Sequence, residues 1–100
     1  MDINKSMNDR ELTQTLTGRL DTNSSPELDR ELEGCYCDTD SLIMDISGLE
    51  YISSAGLRVL LSAHKKMCEK NGLKVRGANE AIMEIFEVTG FSDILDIEKA

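Results

Sequence analysis

Two adjacent serines form the segment of this sequence best suited to chemistry. Ser53 and Ser54 stand at the start of a predicted helix, and Ala55 and Gly56 follow them. One serine can cap the helix by accepting a hydrogen bond from a first-turn amide, and the other would then project outward. An outward hydroxyl is a candidate for phosphorylation by another protein, because a helix N-terminus favours anions. Capping with tight packing is the alternative interpretation.

The glycine in the first turn of this helix also carries information. Glycine inside a helix costs up to about 1 kcal/mol relative to alanine. The presence of Gly56 therefore indicates that something comes close to the backbone at this point. The sequence leaves open whether that neighbour is the protein's own sheet or a partner.

Other chemically capable side chains do not assemble into a predicted catalytic site. The single histidine, His64, lies on the apolar stripe of the same helix, about 15 Å of helical rise from Ser54. We expect it at the edge of the core rather than acting as a base for the serine. Asp21 and Asp45 are interpreted as turn or cap acceptors near strand ends. No catalytic residue is predicted, and an enzyme that uses His64 or the carboxylates is the competing hypothesis.

The cysteines predict neither a metal site nor a disulfide framework. Cys35, Cys37 and Cys68 are odd in number and are accompanied by only one histidine. The N-terminus is polar, and no apolar run reaches the length of a membrane span. These features predict a cytoplasmic protein with free thiols, no bound metal and no direct membrane contact.

Composition and charge fit one small folded domain. The chain has 100 residues, 40% of them hydrophobic, and a net charge of −8. An acidic chain repels nucleic acid and anionic membrane surfaces, so neither is an expected partner. We expect a monomer with a single domain over residues 1–100. A basic cluster over 58–76 is either a solvated polar face or a docking strip.

Hydrophobic periodicity predicts alternating strands and helices, and therefore an α/β sheet protein. Gly34 is expected to close the first helix in the left-handed conformation, and Gly72 and Gly90 to close the next two. The strand at 42–46 is expected to be buried on both faces, with Asp45 near its C-terminal end. The predicted elements are an edge strand at 3–8, a strand at 11–19, a helix at 26–33 preceded by a capping Ser24 or Ser25, a strand at 42–46, a helix at 54–71, a strand at 73–76, a helix from Asn79 to Gly90 and a short strand or helix near 94–97.

Four ordered motifs resemble those of the STAS domain family, in the branch of bacterial anti-sigma factor antagonists. They are the run LIMDISGLEYISSAGLRVLL (42–61), the segment Gly18–Leu28, the segment Lys74–Asn79 and the segment Phe86–Phe91. The resemblance covers roughly residues 10–97. It implies a STAS-type α/β fold, a mixed sheet of four or five strands with helices packed mainly on one side.

The resemblance also implies a function in partner switching. Such proteins bind an anti-sigma factor that is a serine kinase, lose it when phosphorylated, and are restored by a PP2C-type phosphatase. The implied phosphoacceptor is Ser54, with Ser53 as the alternative at a position where many members carry Asp. No cofactor is implied, because the kinase brings the nucleotide. The implied partner-binding residues are Asp21, Thr22, Asn23, Ser53, Ser54, Ala55, Gly56, Leu57 and Arg58. The alternative is a STAS subunit of a membrane transport complex without phosphorylation.

Overall fold

The alternation of threonine and leucine in residues 11–20 produces the strand around which the sheet is built. In the computed structural model, which describes residues 1–99, Leu12, Leu16 and Leu20 are buried on one face of this strand. Threonines occupy the other face, as expected for a half-buried strand. A hairpin joins it to the preceding edge strand, and Asp9 has a φ of 56° in the turn. Aspartate tolerates this left-handed conformation better than most residues.

Five strands and three α-helices make up the part of the chain that the structure describes. The sheet order is β1-β2-β3-β4-β5. β1 is antiparallel to β2, and every other neighbouring pair is parallel. This confirms the predicted mixed sheet. The bounds are β1 (Asp2–Asn8), β2 (Glu11–Leu20), α1 (Ser25–Glu33), β3 (Ser41–Ile52), α2 (Ser54–Met67), β4 (Leu73–Ala78), α3 (Glu80–Thr89) and β5 (Asp96–Lys99), with 3-10 turns at Tyr36–Asp38 and Phe91–Asp93.

The helices cover one face of the sheet, and the core lies between the two layers. Leucines of α1 and α2 share this core with the side chains of β2, β3 and β4 that point towards the helices. Phe86 of α3 is the largest side chain that is fully buried. The opposite face of the sheet is polar, since threonines and charged side chains alternate with the buried residues.

The central strand β3 corrects two expectations. Ile43 is half-buried and lies on the helix-free face, while Leu42, Met44 and Ile46 are buried, so β3 is not buried on both faces. β3 is also longer than the predicted 42–46, because it continues to Ile52 beside β2. Asp45 therefore lies in the middle of β3, where the pairing with β4 ends, and not near the C-terminal end of the strand.

Two of the three glycines predicted to close helices are left-handed, and one of them, Gly90, directly follows its helix. Gly34 has a φ of −72° and is right-handed, so the predicted left-handed cap of α1 is wrong. The chain instead passes through a further hydrogen-bonded turn, in which Cys35 donates to the carbonyl of Leu32. Gly72 and Gly90 are left-handed, with φ values of 97° and 82°. α2 ends at Met67, earlier than predicted, and the Gly72 amide donates to the Met67 carbonyl at 3.0 Å.

Asn79 caps α3, as predicted, and also ties that helix to the sheet. Its side-chain oxygen accepts a hydrogen bond from the amide of Ile82 at 2.9 Å. Its side-chain nitrogen donates to the carbonyl of Leu49 at 3.0 Å. After α3, the apolar residues near 94–97 lead into β5, so the last predicted element is a strand.

Most of the basic cluster over 58–76 is paired with the chain's own acceptors. Lys66 pairs with Glu33, and Lys70 donates to the carbonyl of Thr39 at 2.7 Å. On the other face of the sheet, the Arg76 guanidinium lies 3.2 Å from Asp45, and the Lys74 ammonium lies 3.8 Å from Glu98. This pairing favours a solvated polar face over a docking strip for these four residues. No α-helix in residues 1–99 is both long and apolar enough to span a bilayer.

Candidate functional site

The start of α2 and the loop after β2 meet at the end of the sheet where the neighbouring parallel strands β2 and β3 have their C-termini. β2 and β3 run parallel, and Leu20 pairs with Ile52 at their last register position. The backbone amide of Ser53 donates to the carbonyl of Leu20 at 2.8 Å. The two motifs that carry the predicted partner surface are therefore neighbours, although about thirty positions separate them in the sequence. We call this region, formed by residues 21–24 and 53–58, the α2 edge.

The two serines divide the roles that the sequence predicted for them. Ser53 is the N-cap of α2, with an extended backbone, and its hydroxyl accepts a hydrogen bond from the amide of Gly56 at 3.3 Å. Ser54 is the first helical residue and is exposed to solvent. Ser53 therefore has the capping role, and Ser54 is the serine on the exposed surface.

Gly56 lets α2 approach its own sheet. A Cβ atom at this position would lie 2.7 Å from Cγ of Leu20 and 2.9 Å from Cγ1 of Ile52, distances that real Cβ atoms essentially never show. The neighbour that requires glycine is therefore the sheet, which answers the question that the sequence left open. Gly56 and Leu57 are both buried, so they position the α2 edge from below. Their contact with a partner, which the resemblance implies, stays a prediction.

Asp21 shapes the loop that forms the other half of the α2 edge. Its Oδ1 atom accepts hydrogen bonds from the amides of Asn23 and Ser24, each at 3.0 Å. The Ser24 amide is the main cause that lowers the pKa of Asp21, and Arg19 adds to it, although desolvation acts in the opposite direction. Asp21 is thus a turn acceptor, as predicted. The turn leaves Thr22 and Asn23 exposed at its tip.

Ser24 does not act as the side-chain cap that the sequence suggested for α1. Its hydroxyl accepts from the amide of Asp21 at 2.9 Å and donates to the carbonyl of Arg19 at 2.8 Å. It therefore closes the loop and makes no hydrogen bond to a helix amide. The Ser25 hydroxyl donates to the carbonyl of Asp21 and is likewise part of this turn.

Asp45 lies outside the α2 edge, on the helix-free face of the sheet. Its Oδ1 accepts from the amide and hydroxyl of Ser47 at 3.0 and 2.8 Å, and its Oδ2 accepts from Arg76 at 3.2 Å. Partial burial acts to raise the pKa of Asp45, but these bonds and the guanidinium charge outweigh it, so the pKa is lowered. Asp45 is therefore a hydrogen-bond acceptor within β3, and its predicted role as a turn or cap acceptor near a strand end is wrong.

His64 lies towards the other end of α2 from Ser54. It is half-buried, and its Nε2 atom is 3.5 Å from Sγ of Cys68. Ten helical positions separate it from Ser54, which is about 15 Å of rise. It is therefore too far away to act as a base for that serine. The three cysteines are free thiols, and residues 1–99 contain no cluster of three or more potential metal ligands.

Sequence reasoning missed one pair of residues beside the α2 edge. The guanidinium of Arg19 lies over the ring of Tyr51, 4.6 Å from its centroid. The two residues are register partners in β2 and β3. An open depression of about 490 Å³ next to this pair is lined by Arg19, Asp21, Asn23 and Glu50, among others. Only the strand register, which the sequence does not reveal, places an arginine over this ring.

Comparisons with known proteins agree with this fold. The sequence model of the family described as "STAS domain" matches residues 2–100. The chain is 26% identical over 98 residues to a Bacillus subtilis protein named anti-sigma-B factor antagonist, covering 97% of this chain and 90% of that protein. Its fold resembles that of an anti-sigma factor antagonist from Mycobacterium paratuberculosis, with a TM-score of 0.89 at 20% identity over 99% of this chain and 86% of the other. It also resembles the phosphorylated form of SpoIIAA from Bacillus, with a TM-score of 0.77 at 13% identity over 96% and 90% of the two chains.

Proposed function

Because this chain belongs to the STAS domain family, we propose that it is an anti-sigma factor antagonist in a partner-switching system. In its unphosphorylated form it binds an anti-sigma factor that is also a serine kinase. The kinase phosphorylates Ser54 and the complex dissociates, and a PP2C-type phosphatase restores the antagonist. The observation that carries this proposal is the exposed Ser54 hydroxyl at the start of α2.

The division of roles between the two serines suits reversible modification. Ser53 supplies the hydroxyl that caps α2, so Ser54 is free of this structural task. A phosphate on Ser54 would stand at a helix N-terminus, where amides and dipole tolerate negative charge. The fold therefore does not have to change for the surface to change.

The energetic requirement of such a switch is modest. A tenfold change in affinity corresponds to about 1.4 kcal/mol. A phosphate adds about −1.5 to −2 charges at pH 7, and like charges placed against each other in an interface cost several kcal/mol. A phosphate at the centre of the α2 edge is thus sufficient to weaken binding by about 100-fold or more.

The proposal fixes the other partners and the cellular location. The kinase supplies the nucleotide, so the antagonist itself needs no cofactor. We propose that it meets these partners in the cytoplasm. We propose that it acts as a monomer, with the α2 edge as its single docking surface for the kinase.

Binding experiments with charge variants test the proposal. Tagged wild-type, Ser54→Ala and Ser54→Asp chains are incubated in extract of the source cells with ADP, and captured proteins are identified by mass spectrometry. The affinity of the purified partner is then measured by calorimetry. We expect Ser54→Ala to bind a kinase-type anti-sigma factor as tightly as the wild type, and Ser54→Asp to bind it at least tenfold more weakly.

Val88→Ser, on α3, is the control for these variants. Val88 is 81% exposed near the C-terminal end of α3, and we expect Val88→Ser to bind like the wild type. Equal affinity of Ser54→Ala and Ser54→Asp would contradict the electrostatic switch. Capture of a permease and an ATPase without any kinase would favour a subunit of a transport complex instead.

A further inference from the structure

Arg58 lies one helical turn after Ser54 on the solvent side of α2. Residues four positions apart on a helix are neighbours on one face, with Cβ atoms about 5–6 Å apart. Ser54 and Arg58 are both exposed, whereas Gly56, Leu57 and Val59 are buried. The hydroxyl and the guanidinium therefore share the face of α2 that points to solvent.

The Arg58 side chain is not engaged elsewhere in the protein. Within residues 1–99 it forms no ion pair with a carboxylate and no side-chain hydrogen bond. Three other arginines are engaged, because Arg10 pairs with Asp40 at 2.8 Å, Arg76 pairs with Asp45 and Arg19 lies over Tyr51. Arg30 on α1 is likewise exposed and forms no ion pair within residues 1–99, so the feature that distinguishes Arg58 is its position one turn after Ser54 on the same helix face.

A guanidinium is well suited to a phosphate at this spacing. It presents a planar fork of N–H donors that binds phosphate oxygens in pairs. It stays protonated at all relevant pH values, so the pairing depends only on the state of the serine. Phosphorylation would place several acceptor oxygens within reach of Arg58 on the same helix face.

We propose that Arg58 binds the phosphate on Ser54 within the same chain. This inference rests on the proposed function, because it requires Ser54 to be the phosphoacceptor. The pair gives the modification two effects on the α2 edge, since it adds an anion and withdraws an exposed cation. Arg58 is then a positioning residue for the phosphorylated state.

The titration of the phosphate provides a test that needs no kinase. Phosphoserine is installed at position 54 by semisynthesis or genetic encoding, and the second ionisation of the phosphate is followed by ³¹P NMR. An isolated phosphoserine has a second pKa of about 6. A guanidinium partner stabilises the dianion, so we expect this pKa to be lower with Arg58 than in Arg58→Gln, by about 0.5 pH unit.

Two further variants separate a specific pair from general electrostatics. Arg58→Lys keeps the charge without the fork and is expected to recover only part of the difference. Arg19→Gln removes a cation at the same end of the sheet and is expected to shift the phosphate pKa less than Arg58→Gln does. Asp21 and Glu50 are the same in all variants, so their effect on the phosphate pKa cancels when the variants are compared. Because Arg58 is exposed, amide spectra should show an unchanged fold.

The outcomes distinguish this inference from the proposed function. An equal phosphate pKa in the wild type and Arg58→Gln overturns the pair, as does an equal shift in Arg19→Gln. If the source cells never phosphorylate Ser54, the proposed function fails. The titration of the installed phosphoserine still decides whether Arg58 binds it.

Discussion

The carbonyl oxygen of Leu20 accepts a hydrogen bond from the backbone amide of Ser53 at 2.8 Å, which joins the end of β2 to the start of α2. The loop held by Asp21 and the exposed Ser54 are thereby fixed on one edge of a packed sheet. A partner that docks there meets a preformed surface. A surface that is ordered in advance can respond to one phosphate without rearranging the fold.

Loss of the helix cap should lower the free energy of unfolding, whereas loss of the phosphoacceptor should leave it nearly unchanged. Ser53→Ala removes the side-chain acceptor of the Gly56 amide, so we expect the free energy of unfolding to fall by about 1 kcal/mol. Ser53→Asp retains an acceptor and should keep most of the stability. Ser54→Ala, the matched control, should stay within about 0.5 kcal/mol of the wild type. Urea unfolding measures all three, and a larger loss in Ser54→Ala than in Ser53→Ala would contradict the division of roles.

Filling the contact beneath the start of α2 should destabilise the protein. In Gly56→Ala the added methyl group collides with Leu20 and Ile52, and we expect a net loss of about 1–2 kcal/mol although alanine favours helices. Gly34 is the control, because its φ is −72° and a Cβ there meets no atom closer than 3.7 Å. Thermal unfolding measures both variants, and Gly34→Ala should be neutral or slightly stabilising. Equal effects of the two substitutions would argue against close packing at Gly56.

The Asp21 turn should make part of the stability depend on pH. The folded protein lowers the pKa of this carboxyl below its ordinary 3.8, so protonation is harder in the folded state than in the unfolded one. The stabilisation is therefore complete above about pH 4 and is lost as pH falls through the folded pKa. Asp21→Ala should unfold more readily than the wild type at pH 7, and the difference should shrink below pH 3.8. A difference that stays constant from pH 7 to pH 2 would mean that the charge of Asp21 does not matter.

A buried amide in β2 offers a route to higher stability. Gln14 is fully buried, and neither its Oε1 nor its Nε2 atom has a hydrogen-bond partner within residues 1–99. An unsatisfied buried polar group costs about 1–3 kcal/mol, so Gln14→Met should raise the free energy of unfolding by a similar amount. Leu16→Met places the same side chain at the next core position of β2 and should lower stability slightly. A loss of stability in Gln14→Met would contradict this prediction, because it would mean that the Gln14 amide forms hydrogen bonds in the folded protein.

The element order and the serine pair were predictable because their signals are local. Alternating leucine and threonine specify β2. The capping Asn79 before α3 and Gly90 after it specify that helix. Helix-start geometry also predicts that one serine caps α2 and the other projects outward, whereas the choice of Ser54 as the phosphoacceptor came from the family resemblance. These features depend on residues within one or two turns of each other.

The remaining features depend on contacts between distant segments. Gly34 was expected to be left-handed, but the following 3-10 turn satisfies the end of α1 with a right-handed glycine. Asp45 was placed near the end of β3, since nothing in the sequence shows that β3 continues beside β2 after its pairing with β4 ends. The stacking of Arg19 on Tyr51 requires the register of two strands, which periodicity does not determine.

Mapping of the phosphate in the protein itself tests the central claim most directly. Wild-type, Ser53→Ala and Ser54→Ala chains are incubated with ATP in extract of the source cells and analysed by tandem mass spectrometry. We predict a single phosphate on Ser54 in the wild type and in Ser53→Ala, and none in Ser54→Ala. A phosphate on Ser53, or a Ser54→Ala chain that is modified as fully as the wild type, would contradict the account.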